Sequence, residues 1–187
     1  VADIHFDYRA ALRSAEYGVD KIRINPGNIG DEERIKAVVD ACKAKNIPIR
    51  IGVNSGSVEK HILAKYGSPT PEALCESALY HASLLEKFDF EDTVISIKAS
   101  TVSEMIRANR ILAESCSYPL HLGVTEAGGG SRGLLKSAVG IGSLLCDGIG
   151  DTIRVSLTDD PLKEIEAAKQ ILRAVGIEGQ CGMDIVS

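Results

Sequence analysis

Arg23, Arg50, Lys98 and Arg154 each stand inside a short run of isoleucine, valine and glycine, near its C-terminal end. Residues i and i+2 of an extended chain point the same way, so each run divides into two faces. In Lys21-Ile22-Arg23-Ile24-Asn25, Arg23 and Asn25 share one face while Ile22 and Ile24 share the other. The same division groups Arg50, Gly52 and Asn54; Ser96, Lys98 and Ser100; Arg154 and Ser156; and Asp3 with His5. Leu122, Val124 and Glu126 are expected to follow the same alternation. A parallel strand covered on both sides reads as a near-continuous apolar run, and charged side chains are rarely buried unless paired. A charge recurring on one face of successive strands therefore marks a site. Asp3 and Glu126 could pair with these cations as structural ion pairs, but four cations against two carboxylates leave positive charge over. An anionic ligand supplies the counter-charge, and two phosphoryl groups suit that surplus better than one carboxylate.

Placing such residues at one end of a sheet requires parallel strands joined by helical crossovers, and the pattern predicts this. Strands are expected over Val1–Phe6, Lys21–Asn25, Ile47–Val53, Thr93–Lys98, Pro119–Thr125 and Thr152–Leu157. Helices are expected over Tyr8–Tyr17, Asp31–Lys45, Pro71–Phe88, Ser103–Glu114, Leu134–Cys146 and Pro161–Val175, with a shorter helical piece over Val58–Tyr66. Thr70-Pro71 and Asp160-Pro161 are cap-then-proline helix starts, and Gly18 and Gly176 are helix stops. A doubly wound sheet and a barrel share this alternation, and the charged inner face favours the barrel. Asn25–Gly30 and Glu126–Gly133 follow strand ends and precede helices, where such turns can aim backbone N–H groups at phosphate.

The 187 residues suit a single domain. A net charge of −5 gives no electrostatic case for nucleic acid or an anionic membrane, and no apolar run approaches the roughly 20 residues of a membrane span. The first residues, Val1-Ala2-Asp3-Ile4-His5, read as mid-strand, so a true N-terminus is expected to lie further upstream. Cys42, Cys75, Cys116, Cys146 and Cys181 are odd in number, widely spaced and free of any C-x-x-C pair. That argues against a disulfide framework or zinc site and for a reducing compartment, with the first four as buried or half-buried thiols. His61, His81 and His121 fall outside the strand-end set and are expected on the surface or in packing, while His5 and Cys181 remain open.

Six segments then occur in order: Ala2–Asp7, Arg23–Asn28, Arg50–Asn54, Ile97–Ser100, Gly123–Gly128 and Gly150–Ser156. Together they resemble the hydroxymethylbutenyl diphosphate synthase family of the methylerythritol phosphate pathway, over essentially the whole chain. The resemblance implies an α/β fold: a parallel (β/α)8 TIM-type barrel, incomplete, with this chain supplying strands three to eight. The two preceding strand–helix units and the C-terminal [4Fe–4S] domain are expected to lie outside residues 1–187. It implies reductive opening of 2-C-methyl-D-erythritol 2,4-cyclodiphosphate to 4-hydroxy-3-methylbut-2-enyl diphosphate, with electrons from flavodoxin or ferredoxin. Arg23, Arg50, Lys98 and Arg154 would hold the diphosphate; Asp3, Asn25, Asn54 and Ser156 would line the same pocket; Glu126 would donate a proton. The cluster ligands are expected outside this chain, so no metal residue is assigned in it. A homodimer would complete the site, in the cytoplasm of a bacterium or the plastid of a plant or alga.

A pterin-binding synthase-like barrel is a second reading, since its strand ends carry similar residues. The absence of tryptophan, the sparse aromatics and four strand-end cations count against it. A non-catalytic phosphometabolite-binding module is the third.

Overall fold

The computed structural model of the chain describes residues 1–99 and 101–177. The expectations for Ser100 and Cys181 lie outside the described residues. Among those residues six strands run parallel in chain order: β1 (Ala2–Asp3), β2 (Ile22–Ile24), β3 (Ile49–Asn54), β4 (Thr93–Lys98), β5 (His121–Gly123) and β6 (Thr152–Arg154). The first four hydrogen-bond as one sheet and the last two as another. A parallel bridge between Ile95 and Leu120, with Ile95 N–H donating to Pro119 O at 2.9 Å, joins β4 to β5.

Register fixes the faces. Asp3 lies beside Arg23, Arg23 beside Arg50, Asn54 beside Lys98, and Gly123 beside Arg154. The opposite face, with Ile22, Ile24, Ile49, Ile51, Ile95 and Ile97, is sealed from solvent against the helices. This is the layered α/β design, with one apolar face buried under crossover helices. The concave face carries the charge, and it is the incomplete parallel barrel expected from the sequence.

The long helices are α1 (Tyr8–Glu16), α3 (Glu32–Lys45), α5 (Pro71–Glu86), α6 (Val102–Ser115), α7 (Gly130–Cys146) and α8 (Pro161–Ala174), with the short α2 (Pro26–Ile29) and α4 (Lys60–Tyr66) between them. Side-chain caps set the starts of several: Thr70 Oγ1 accepts from Ala73 N–H at 3.2 Å, and Asp160 Oδ1 accepts from Leu162 N–H at 2.9 Å. Both are followed by proline, whose missing N–H costs nothing in the first turn. Gly18 and Gly176 take φ of +77° and +76°, as helix stops do. The turn after β2 departs from expectation. Rather than presenting amides to a ligand, it folds into α2, where Asn25 Oδ1 takes the Gly27 N–H at 3.0 Å and Asn25 O takes the Asn28 N–H at 2.9 Å.

Cys42 and Cys75 are buried and Cys116 is half-buried, but Cys146 is exposed, against the expectation of a covered thiol. It is the last residue of α7, where the helix turns outward to Asp147. No described helix is long and apolar enough to cross a membrane.

Candidate anion-binding site

Three neighbouring strands present cations to the same space. Arg23 is buried, and its Nη1 donates to Asp3 Oδ1 at 2.8 Å while Nη2 donates to Gly52 O at 3.4 Å. Gly52 is glycine for a physical reason: a Cβ there would occupy the volume of the Arg23 guanidinium. The side chain of β2 therefore reaches across β3, and only a residue without a side chain lets it pass. Asp3, His5, Arg23, Asn54, Lys98 and Glu126 are among the residues lining a cavity of about 390 Å³ at the C-terminal ends of the strands. Its size falls in the range of small-molecule sites, and its position is where parallel α/β folds place them.

The electrostatics is one-sided. Arg23 has Asp3, whereas Arg50, Lys98 and Arg154 make no ion pair among the described residues, and neither does Glu126. Burial, reinforced by Arg154, Arg23 and Arg50, pulls the Lys98 ammonium down to about 8. Arg50 is likewise lowered by burial and then by Arg23 and Arg154, with Asp3 acting the other way. These groups feel one another because the arc curves them onto a common side. Structural pairing of the two carboxylates with the four cations is thereby limited to the single Asp3–Arg23 contact, and the excess charge remains.

The expected site residues divide. Asp3, Arg23, Asn54, Lys98 and Glu126 line the cavity; Asn25, Arg50, Arg154 and Ser156 do not. Arg50 and Arg154 are nonetheless within electrostatic reach of Lys98. Asn25 is only 3% exposed and both ends of its amide are engaged, Oδ1 by Gly27 N–H and Nδ2 by Ser57 Oγ at 2.8 Å. Its geometry supports the loops instead of the cavity wall. Ser156 is half-buried.

Two corrections concern β5 and its histidine. Leu122 and Val124 face the helices, where the positions a Cβ would take on Gly150 and Gly140 abut them. His121 and Gly123 occupy the inner face, opposite Thr152 and Arg154. Glu126 reaches the cavity through a turn, with φ of +54°, and does not continue a strand alternation. His121 thus belongs inside the arc: it is 5% exposed, its Nδ1 lies 2.8 Å from Thr152 Oγ1, and burial with Arg50 and Lys98 nearby pushes its pKa down to about 3. Leu120-His121-Leu122-Gly123-Val124-Thr125 carries that signal, since every second residue is apolar. Counting back from Glu126 misses it. His61 is exposed against Tyr80 and His81 is buried in the packing, as expected, with its Nε2 2.5 Å from Glu59 Oε1.

His121 sets a pH dependence. Its folded pKa of about 3 lies below the ordinary histidine value of about 6.5, so only the unfolded chain takes up the proton between them. Stability from this residue is present above pH 6.5 and is lost as pH falls toward 3. Replacing His121 by Gln, which cannot be protonated, should shrink the drop in Tm between pH 7 and pH 5. Equal drops in parent and variant would remove the claim.

No group of three or more His, Cys, Asp or Glu side chains that could hold a metal ion occurs among the described residues. That part of the chain offers an iron–sulfur cluster no ligand set.

Comparison with known proteins gives the site a context. A family model described as the GcpE TIM-barrel domain matches residues 1–169. The 4-hydroxy-3-methylbut-2-en-1-yl diphosphate synthase (flavodoxin) of Clostridium perfringens (strain 13 / Type A) is 62% identical over 187 residues, covering 100% of this chain and 53% of that protein. The enzyme of the same name from Fusobacterium nucleatum subsp. nucleatum is 60% identical, covering 100% of this chain and 52% of its own length. That from Haemophilus influenzae (strain PittEE) is 59% identical over 180 residues, 96% of this chain and 52% of the relative. The chain spans about half the length of these curated relatives.

Proposed function

Because the chain belongs to the GcpE TIM-barrel domain family, we propose that it is the substrate-binding barrel of a reductase that converts 2-C-methyl-D-erythritol 2,4-cyclodiphosphate to 4-hydroxy-3-methylbut-2-enyl diphosphate. One observation carries the substrate class. Arg50, Lys98 and Arg154 share the concave face without a counter-charge, and a cyclic diphosphate supplies it.

Arg23, pinned by Asp3 and threaded over Gly52, presents a fixed guanidinium fork to one phosphoryl group. Arg50 and Lys98 meet the diphosphate from β3 and β4, and Arg154 closes on it from β6. Asp3 and Asn54 complete the polar lining, and Asn25 acts on it from behind. Reductive ring opening breaks a bond between carbon and a phosphate-linked oxygen, which the cations stabilise as charge develops. A hydroxyl must then leave as water, and Glu126 at the cavity edge is the acid placed to protonate it.

A [4Fe–4S] cluster held by ligands outside this chain would supply the two electrons, drawn from flavodoxin or ferredoxin, in a homodimer that completes the site. In bacteria such a protein is cytoplasmic. The test is the full-length protein purified without oxygen: it should contain iron and sulfide, and convert the cyclodiphosphate under a chemical reductant. Protein that binds the cyclodiphosphate but contains neither iron nor sulfide would leave a binding module and end the reductase reading.

A further inference from the structure

A buried acid–base pair lies behind the pocket loops, and the anion site does not itself contain it. His81, on the inner side of α5, is 1% exposed, and its Nε2 lies 2.5 Å from Glu59 Oε1 at the start of α4. Burial alone would raise the Glu59 carboxyl, but the His81 imidazole and the Ser77 hydroxyl beside it outweigh burial and hold the group below the usual carboxylate range. An acid buried this way is expensive to place unless it is paired, so its location invites a reason.

The reason lies in what it touches. A Cβ on Gly27 would sit 3.2 Å from Glu59 Oε1 and 3.3 Å from both Asn25 Oδ1 and His81 Cε1. Gly27 does not have a positive φ, so close approach, not backbone freedom, is what a side chain there would press against. The β2–α2 turn thus rests directly on the pair. From that turn Asn25 Nδ2 donates to Ser57 Oγ at 2.8 Å. Ser57 Oγ in turn donates to Asn54 O at 3.0 Å and accepts from Asn54 N–H at 3.2 Å. Asn54 lines the cavity, and its Oδ1 is buried without a hydrogen-bond partner. A continuous set of contacts therefore runs from α5 to the backbone of Asn54, a residue that lines the ligand space.

We infer that Glu59 and His81 are positioning residues for Asn54: the pair fixes the β2–α2 turn against α5, and the turn, through Asn25 and Ser57, fixes the Asn54 amide in the pocket. This rests on the anion-site reading. A carboxylate–imidazole pair suits the task because it is short and shielded from water, so the turn has one seat. If packing alone held the turn, Asn54 would keep its place when the pair is weakened, and the coupling would be absent.

A double-mutant cycle in the full-length protein tests this, with inorganic pyrophosphate as probe and calorimetry at a temperature well below every Tm. Glu59→Gln, which keeps the volume, and Gly27→Ala, which presses on the pair, should each weaken pyrophosphate about tenfold and raise KM more than they lower kcat. In an Asn54→Ala background neither should add a further loss, because the residue they act through is gone. A lower Tm with unchanged pyrophosphate affinity in both variants would reduce the pair to fold stability and overturn the inference. So would losses that simply add to that of Asn54→Ala. Lys98→Ala separates the two levels. If it loses affinity while the Glu59 and Gly27 variants do not, the inference alone fails. If Lys98→Ala binds normally, the anion site fails and the inference with it.

Discussion

Replacing Lys98 by alanine should weaken binding of the cyclic diphosphate to the full-length protein by on the order of 10- to 100-fold, and Arg50→Ala should act similarly. Each change removes a charge-assisted hydrogen bond in a partly dry site, an interaction of about 1.5–3 kcal/mol. Lys169→Ala, on the exposed side of α8, should leave affinity unchanged. Lys98 adds a signature that a generic cation lacks. Its ammonium titrates near 8 because burial and three arginines oppose its charge. A bound dianion reverses that opposition and raises the pKa again, so ligand binding at and above pH 8 draws a proton onto Lys98. Affinity should be level below pH 7 and should fall as pH rises through 8. In Lys98→Ala the same titration should be flat over that range. Calorimetry in buffers of different ionisation enthalpy reads the proton uptake directly; affinity independent of pH from 7 to 9 in the parent would refute the role of Lys98.

Much of this arrangement is legible in the chain because parallel strands repeat with a period of two. Arg23, Arg50, Lys98 and Arg154 could be placed on one face from alternation alone, since their neighbours Ile22, Ile24, Ile51 and Ile97 must face the helices. Helix starts were equally readable at Thr70-Pro71 and Asp160-Pro161, where a cap and a proline act locally. What alternation does not carry is any change of direction. Glu126 reaches the cavity by a left-handed turn, so counting from it inverts β5 and hides His121. The turn at Asn25 looks open in sequence, yet it closes into α2 because its amides find the Asn25 side chain and carbonyl first. Gly52 is legible as a small residue on the inner face, but its purpose depends on Arg23 arriving from the next strand. The Glu59–His81 pair joins residues 22 positions apart, one capping α4 and one within α5, and no local pattern announces such a contact.

Glu126 combines two features that local stability would not select together. Its φ of +54° is a left-handed conformation in which a non-glycine residue is strained, by roughly 1 kcal/mol or more. It is also a carboxylate at the mouth of a cationic cavity, exposed and without an ion-pair partner among the described residues. The structural account in which it merely neutralises Lys98 or Arg154 finds no contact to rest on. The wrong sign for holding phosphate is the right type for giving a proton to a departing hydroxyl. Glu126→Gln keeps the shape and loses the proton, so turnover under a chemical reductant should fall by about 100-fold or more. Affinity for the cyclodiphosphate should hold or improve, since a negative charge beside the diphosphate is gone. Glu126→Gly sharpens the distinction. It relieves the left-handed strain, so Tm should rise or hold, while turnover falls as far as in Glu126→Gln. A protein stabilised at this position and inactive in both variants has a residue kept for chemistry. Full activity in a well-folded Glu126→Gln enzyme would end the proton-donor assignment.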